Sequence, residues 1–351
     1  MNKQTIHKKN VDICECIIFE QKSKYNVHNQ IKISDMSLQI LPSCLSHLTH
    51  ITSMYCMGCK ITTITSLPPQ LMSLYLVDNF ITNIDPKIFP KTLTDVNLSN
   101  NKFQTFDTNS SSFAIRRLIL SNNQLTYFDM RNTNIIELWL SNNELKHLIC
   151  NEFIEKLDVD NNINININFE NAQQLTHLYM SKCNVFDIVE LPNTIQQLDI
   201  SCNCIKNINK LPNKLAHLNC TKNLISTITF VPHSLKILHI SGNQLEKLIL
   251  INDNLNEIYC SSNKIKLINT SCGHLICYDN PLEKMIINKL TCNIEYNYSC
   301  NKNLLITSIE YIDKLHTTKK INDKTYKNLI KNYVLSKCET TDSPEAIQIY
   351  I

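Results

Sequence analysis

One pattern recurs down most of the chain and limits what it can become. Residues 71–81 read "LMSLYLVDNFI", 93–103 "LTDVNLSNNKF", 115–125 "IRRLILSNNQL" and 135–145 "IIELWLSNNEL". The same frame returns from 154, 175, 195, 215, 235, 255 and 272, with a period of about 20 residues. Its centre, apolar-x-apolar, alternates sides across a short strand, so the apolar pair points in and the residue between them points out. A strand this short cannot bury its apolar face alone. Stacked copies can, as a parallel sheet over a shared core. The Asn that follows each strand turns the chain, and its amide can satisfy backbone groups left unpaired in a buried turn. The ladder predicted this way is Asn79, Asn101, Asn123, Asn143, Asn162, Asn203, Asn223, Asn243, Asn263 and Asn280.

The frame is L-x-x-L-x-L-x-x-N/C-x-L, the signature of leucine-rich repeats. Pro68, Pro90, Pro192, Pro212 and Pro232 each stand three residues before the first apolar position of a copy. Proline there disfavours a helix on the return segment and suits extended backbone. Period and Leu-Pro lead together resemble the short LPX-type repeats of bacterial effector proteins, over roughly residues 40–290. The resemblance implies an α/β-type solenoid of horseshoe form: a parallel β-sheet on the concave face, irregular or 3-10 backbone on the convex side, and a protein-binding role. Some such effectors carry a large C-terminal ubiquitin-ligase domain with a catalytic Cys. Here Cys338, in "SKCETTD", lacks such a surrounding domain, so that activity is not carried over.

The chain then divides into an N-terminal cap with a degenerate first repeat (1–40), the repeats (41–290) and a partly helical C-terminal cap (291–351). Solenoids need such caps to cover the core at each end. "VDICECIIF" reads as a strand of the first cap. "NDKTYKNLIKNYVLSK" places Tyr326, Leu329, Ile330, Tyr333 and Val334 on one helical face, with an N-cap at Asn322 or Asp323.

Composition removes several function classes. Only three glycines are present, and no phosphate-binding glycine loop is among them. The net charge of +3 is spread along the chain, which argues against a nucleic-acid footprint. No apolar run reaches the roughly 18 residues of a membrane span, and the N-terminus has no secretory apolar core. The expectation is a cytoplasmic monomer with reduced cysteines, no cofactor and no membrane contact.

Sixteen cysteines invite a redox or zinc reading, above all at Cys56-Met57-Gly58-Cys59. The repeat register dissolves it. Cys56 takes the second inward position, as Cys220, Cys260 and Cys277 do, and Cys59 takes the Asn position, as Cys183 does. Buried cysteine behaves as a small apolar residue.

Function is expected on the outward residues of the strands: Tyr75, Arg117, Ile119, Trp139, Asp158, His177, Tyr179, Asp199, His217, His239 and Tyr259. Trp139 is the only tryptophan, and Trp, Tyr and Arg are the usual anchors of protein interfaces. His217, His239 and Asp199 could be brought together as zinc ligands; solvated histidines on a binding face are the plainer reading. The recurring hydroxyl at Ser99, Ser121, Ser141 and their equivalents belongs to the repeat consensus and bonds locally. The reading is a non-catalytic module that binds a protein partner on its concave face. The alternative is an adaptor or effector that delivers a bound target to a second partner, such as ubiquitin machinery, through its C-terminal helix.

Overall fold

The computed structural model describes residues 29–33, 38–108, 114–188, 190–288, 292–296, 304–307 and 309–338. The "VDICECIIF" strand, and the side chains of Val334 and Cys338, lie outside what it describes. The chain forms two compact units, residues 1–183 and 184–351, and each is a parallel-strand solenoid.

In the first unit, the described residues hold a ladder of eight strands. They are Gln30–Ile33, Ser53–Cys56, Ser73–Tyr75, Asp95–Asn97, Arg117–Ile119, Glu137–Trp139, Lys156–Asp158 and His177–Tyr179. Each pairs in parallel with the next, so equivalent residues of successive copies lie side by side: Asn97 beside Ile119, Ile119 beside Trp139, Trp139 beside Asp158. In the second unit the ladder is Gln197–Asp199, His217–Asn219, Ile237–His239, Glu257–Tyr259, His274–Ile276 and Asn293–Glu295, again parallel. The inward residues behave as the alternation requires. Leu118, Leu120, Leu138 and Leu140 are fully buried, as are Cys56, Cys220, Cys260 and Cys277 in the same columns.

Each Asn of the predicted ladder is buried and does the same work. Asn143 donates through Nδ2 to the carbonyls of Leu140 (2.9 Å) and of Leu120 in the preceding copy (2.9 Å). Its Oδ1 accepts the Leu125 N–H at 2.9 Å. Where cysteine stands in this column the thiol replaces the amide as donor. Cys59 Sγ reaches the Ile33 carbonyl at 3.1 Å, and Cys183 Sγ the Val159 carbonyl at 3.3 Å. Burial pushes the thiols up, Cys183 to about 11 and Cys150 to about 12, which keeps them protonated and inert. Eleven of the described cysteines are free thiols. Cys44 is disulfide-bonded, against the expectation that every cysteine is reduced.

The residue before each ladder Asn adopts the left-handed backbone. Asp78, Asn100, Asn122, Asn142 and Asn161 have φ of 56–58°, and so do Lys182, Cys202, Lys222 and Ser262 at 54–55°. Gly58 and Gly242 occupy the same step at 66° and 68°.

The return side splits into two kinds. In copies with the Leu-Pro lead, the proline carbonyl accepts an N–H three residues on: Pro68 from Leu71, Pro90 from Leu93, Pro212 from Leu215, Pro232 from Leu235, at 3.0–3.2 Å. Their backbone is irregular, or a 3-10 turn at Pro86–Ile88, or a two-residue strand at Thr63–Ile64. Several copies without that proline build a longer second parallel layer. It joins Tyr127–Asp129, His147–Ile149 and Asn166–Asn168 in the first unit. In the second unit it joins Lys247–Leu250, Leu267–Thr270, Lys284–Ile287 and Leu305–Ile306.

Two helices follow, α1 (Ile309–Thr317) and α2 (Asp323–Cys338). Asn322 caps α2 by accepting the Thr325 N–H at 2.9 Å. Tyr311, Ile312, Leu315 and Leu329 are buried, and Asn332 donates to the Leu304 carbonyl beside the last strand at 2.9 Å. Among the described residues, no helix is long and apolar enough to cross a membrane.

Candidate interaction surface

The outward residues of the first unit form two columns, one from the first and one from the third residue of each strand. The first-residue column is a run of alternating charge. Arg117 lies between Asp95 (3.1 Å) and Glu137 (3.5 Å), and Lys156 meets Glu137 at 2.8 Å. Parallel pairing in register makes this possible, since it sets these four residues on adjacent strands. Tyr75 joins at one end, its hydroxyl donating to Asp95. Burial, and then the hydrogen bond to the Asp95 carboxylate, push the Tyr75 phenol up to about 12. Its ring stacks on Tyr55 at 5.0 Å.

The third-residue column carries Tyr75, Asn97, Ile119, Trp139, Asp158 and Tyr179. Trp139 and Tyr179 stack, 6.2 Å between centroids and 19° from parallel. Asp158, between them, is only 9% exposed. Its Oδ1 accepts the Asp160 N–H at 2.9 Å. The indole Nε1 of Trp139 is shielded and has no hydrogen-bond partner among the described residues, so stacking holds the ring. His177 stands in the first-residue column, its Nδ1 2.8 Å from Thr176 Oγ1.

In the second unit Asp199 accepts from Ser201 N–H (2.9 Å) and from Asn219 Nδ2 (2.8 Å). His239 stacks on Tyr259 at 4.3 Å, and the Tyr259 hydroxyl donates to Glu257 at 2.8 Å. Burial holds the His239 imidazole below its usual range, against Glu257 and Asp199. His217 pairs in register between Gln197 and Ile237. Asp199, His239 and Tyr259 are thus engaged as turn-capping and stacking groups, and His217 is exposed. Among the described residues, no three His, Cys, Asp or Glu side chains converge as metal ligands.

Three features escaped the sequence. Glu295, on the end strand, contacts His274 at 3.1 Å and accepts from Tyr278 at 3.3 Å. The strand Asn293–Glu295 departs from the repeat frame, and only its pairing with His274–Ile276 reveals it. Asp160, which accepts the Ser181 N–H at 2.6 Å, stands where most copies carry a hydroxyl, and that exception was the available signal. On the return side Phe230, Ile249 and Ile251 are exposed around an open groove that Val231 and His233 also line.

The family model for leucine rich repeats matches residues 69–125. No curated protein matches the chain. Among solved structures, YopM from Yersinia enterocolitica aligns with a TM-score of 0.56 at 22% identity, covering 75% of this chain and 62% of that one. The chain therefore spans about three-fifths of that protein's length. YopM from Yersinia pestis, a leucine-rich effector protein, aligns with a TM-score of 0.59 at 21% identity over 81% of this chain and 90% of its own. InlJ from Listeria monocytogenes gives 0.52 at 21% identity, over 80% and 68%. At such identities the likeness shows the fold. The chain is a leucine-rich-repeat solenoid, and the fold it shares is that of bacterial effectors such as YopM.

Proposed function

We propose that the protein is a non-catalytic interaction module that binds a protein partner on the concave, outward-facing surface of its strand ladder. The observation that carries this reading is the third-residue column of the first unit. Nearby charges neutralise one another in the run from Asp95 to Lys156, while Trp139 and Tyr179 remain at the surface as a stacked aromatic pair. Rigid aromatic groups on a regular sheet are interface anchors of the kind that dominate binding energy. Tyr75, Arg117 and Ile119 flank them, and Asp199, His217, His239 and Tyr259 form the corresponding surface of the second unit. On the same reading α1 and α2 are a cap: their buried apolar side chains cover the end of the solenoid.

The module needs no cofactor and acts as a monomer. A cytoplasmic setting fits the eleven free thiols among the described residues, whereas the Cys44 disulfide would be reduced there. Residue-resolved thiol mapping of protein from its native cell tests this part.

Affinity capture from the native cell with the intact chain and with Trp139→Ala tests the binding reading. A protein retained by the first and lost by the second, at an unchanged melting temperature, is the expected result. Full retention by Trp139→Ala would remove the surface from consideration.

A further inference from the structure

Within that reading, and resting on it, we propose that the outward face of the second unit receives a basic segment of the partner near neutral pH and releases it on acidification, with histidines as the gate. The two units settle their outward charge differently. In the first, Arg117 and Lys156 pair with Asp95 and Glu137. In the second, the outward columns from Gln197–Asp199 to Asn293–Glu295 carry three carboxylates (Asp199, Glu257, Glu295) and three histidines (His217, His239, His274), and no lysine or arginine.

None of the three carboxylates pairs with a Lys or Arg among the described residues. Asp199 accepts from Ser201 N–H and Asn219, Glu257 from Tyr259, and Glu295 from Tyr278. These donors are neutral, so the negative charge stays. Lys236, just before the strand Ile237–His239, is exposed, and Lys320 donates to the Asn293 side chain.

The histidines are interleaved with the carboxylates. His274 has Glu257 as its register partner on one side, and Glu295 lies 3.1 Å from its Nε2. The charged groups that face the His239 ring are Glu257, Asp199 and His217, and its strand neighbours are Asn219 and Tyr259. His217 is exposed between Gln197 and Ile237.

Histidine is the side chain that ordinarily changes charge between about pH 5 and 8, while carboxylates keep theirs. Above that window the face is a run of negative charge, complementary to lysine and arginine and repulsive to acidic partners. Below it each imidazolium offsets one carboxylate. The sign follows from linkage: a bound cation opposes protonation of the histidines, so their protonation weakens its binding. Asp199 and Glu295 stand five strand steps apart, roughly 24 Å, which is the reach of about seven extended residues.

The full chain is titrated by calorimetry at low salt with an acetylated, amidated Gly-Lys-Gly-Lys-Gly-Lys-Gly peptide and with its glutamate counterpart, at about pH 7.5 and about pH 5.5. We expect saturable binding of the lysine peptide at the higher pH, at least about fivefold weaker binding at the lower, and no response to glutamate. Asp199→Asn/Glu257→Gln/Glu295→Gln should weaken it by about tenfold or more at the higher pH, at an unchanged melting temperature. Amides suit these columns, which already hold Gln197 and Asn219, and Asn219 Oδ1 takes the Thr221 N–H at 3.2 Å. Should that variant lose stability, Glu257→Gln alone is read, with about threefold weakening expected. His217→Gln/His274→Gln should keep most of its neutral affinity at the lower pH; His239, which burial holds below its usual range, is left in place. Absent binding at the higher pH, an equal glutamate response, an affinity indifferent to pH, an indifferent carboxylate variant, or a histidine variant as pH-sensitive as the intact chain each overturn the assignment. Capture at neutral pH separates this inference from the reading beneath it. A partner lost by Trp139→Ala but kept by the carboxylate variant sinks the basic-segment assignment alone. A partner kept by both sinks the surface.

Discussion

At the residue scale, the ladder asparagines hold the most concentrated function. Each amide serves three backbone groups across two copies, as Asn143 does for Leu120, Leu140 and Leu125. Asn143→Leu leaves those groups buried and unsatisfied. It should cost about 1–3 kcal/mol, read as a lower denaturant midpoint; an unchanged midpoint would refute the role. Tyr75 gives a second test. Its phenol is pushed up to about 12 in the folded chain, above the ordinary value of 10.0. A raised folded value favours the protonated form, so its contribution is complete below pH about 10 and is lost as pH rises towards 12. Tyr75→Phe should flatten that alkaline loss in melts taken across the window. The Asn ladder was legible because identity recurs with the period. The left-handed step before it was not. Lys182, Cys202, Lys222 and Ser262 occupy it as readily as Asn or Gly, so residue type conceals the conformation. A left-handed residue with a side chain costs about 1–2 kcal/mol, partly offset by the entropy glycine loses on folding. Lys222→Gly should therefore raise stability by about 0.5–1 kcal/mol in the same denaturant assay.

At the element scale, the copies build two kinds of return segment, and the Leu-Pro copies build the less regular one. The recurrence of proline in the sequence pointed to irregular backbone, and that holds for the copies that carry it. The second parallel layer at Lys247–Leu250, Leu267–Thr270 and Lys284–Ile287 was harder to read, because "LEKLILI" and "IKLINT" merge into the apolar frame. Asn269 faces outward on the middle of these strands. Asn269→Pro removes an N–H from a paired strand and should destabilise by more than the roughly 1 kcal/mol net of one hydrogen bond. Thermal melting would show it, and an indifferent result would mean that the layer contributes nothing. The outward columns were legible to the same degree as the strands, since the alternation placed Trp139, Asp158 and Tyr179 in one row. The stacking of Trp139 on Tyr179 was not, because ring orientation follows from what the two neighbouring strands carry.

At the scale of the whole molecule, burial sorts the thiols. Cys202 and Cys204 are partly exposed, whereas Cys56, Cys59, Cys150, Cys183, Cys220, Cys260, Cys272, Cys277 and Cys292 are buried. Alkylation of the native chain, mapped by mass spectrometry, should modify the first two quickly. The nine buried thiols should react only as fast as the chain opens. Rapid native labelling of Cys220 or Cys260 would contradict the core described for the second unit. The spacing of the copies adds a further consequence. Asn101 to Asn123 is a longer step than Asn263 to Asn280, yet in both places the amide makes the same bonds to the copy before it. The difference in length is absorbed on the return side. A crossover between two copies at equivalent strand positions would preserve every amide bridge and change only how many copies there are. Genetic exchange within such a gene can thus add or delete whole rungs, with the recognition residues they carry, while each product remains a chain that closes its own hydrogen bonds.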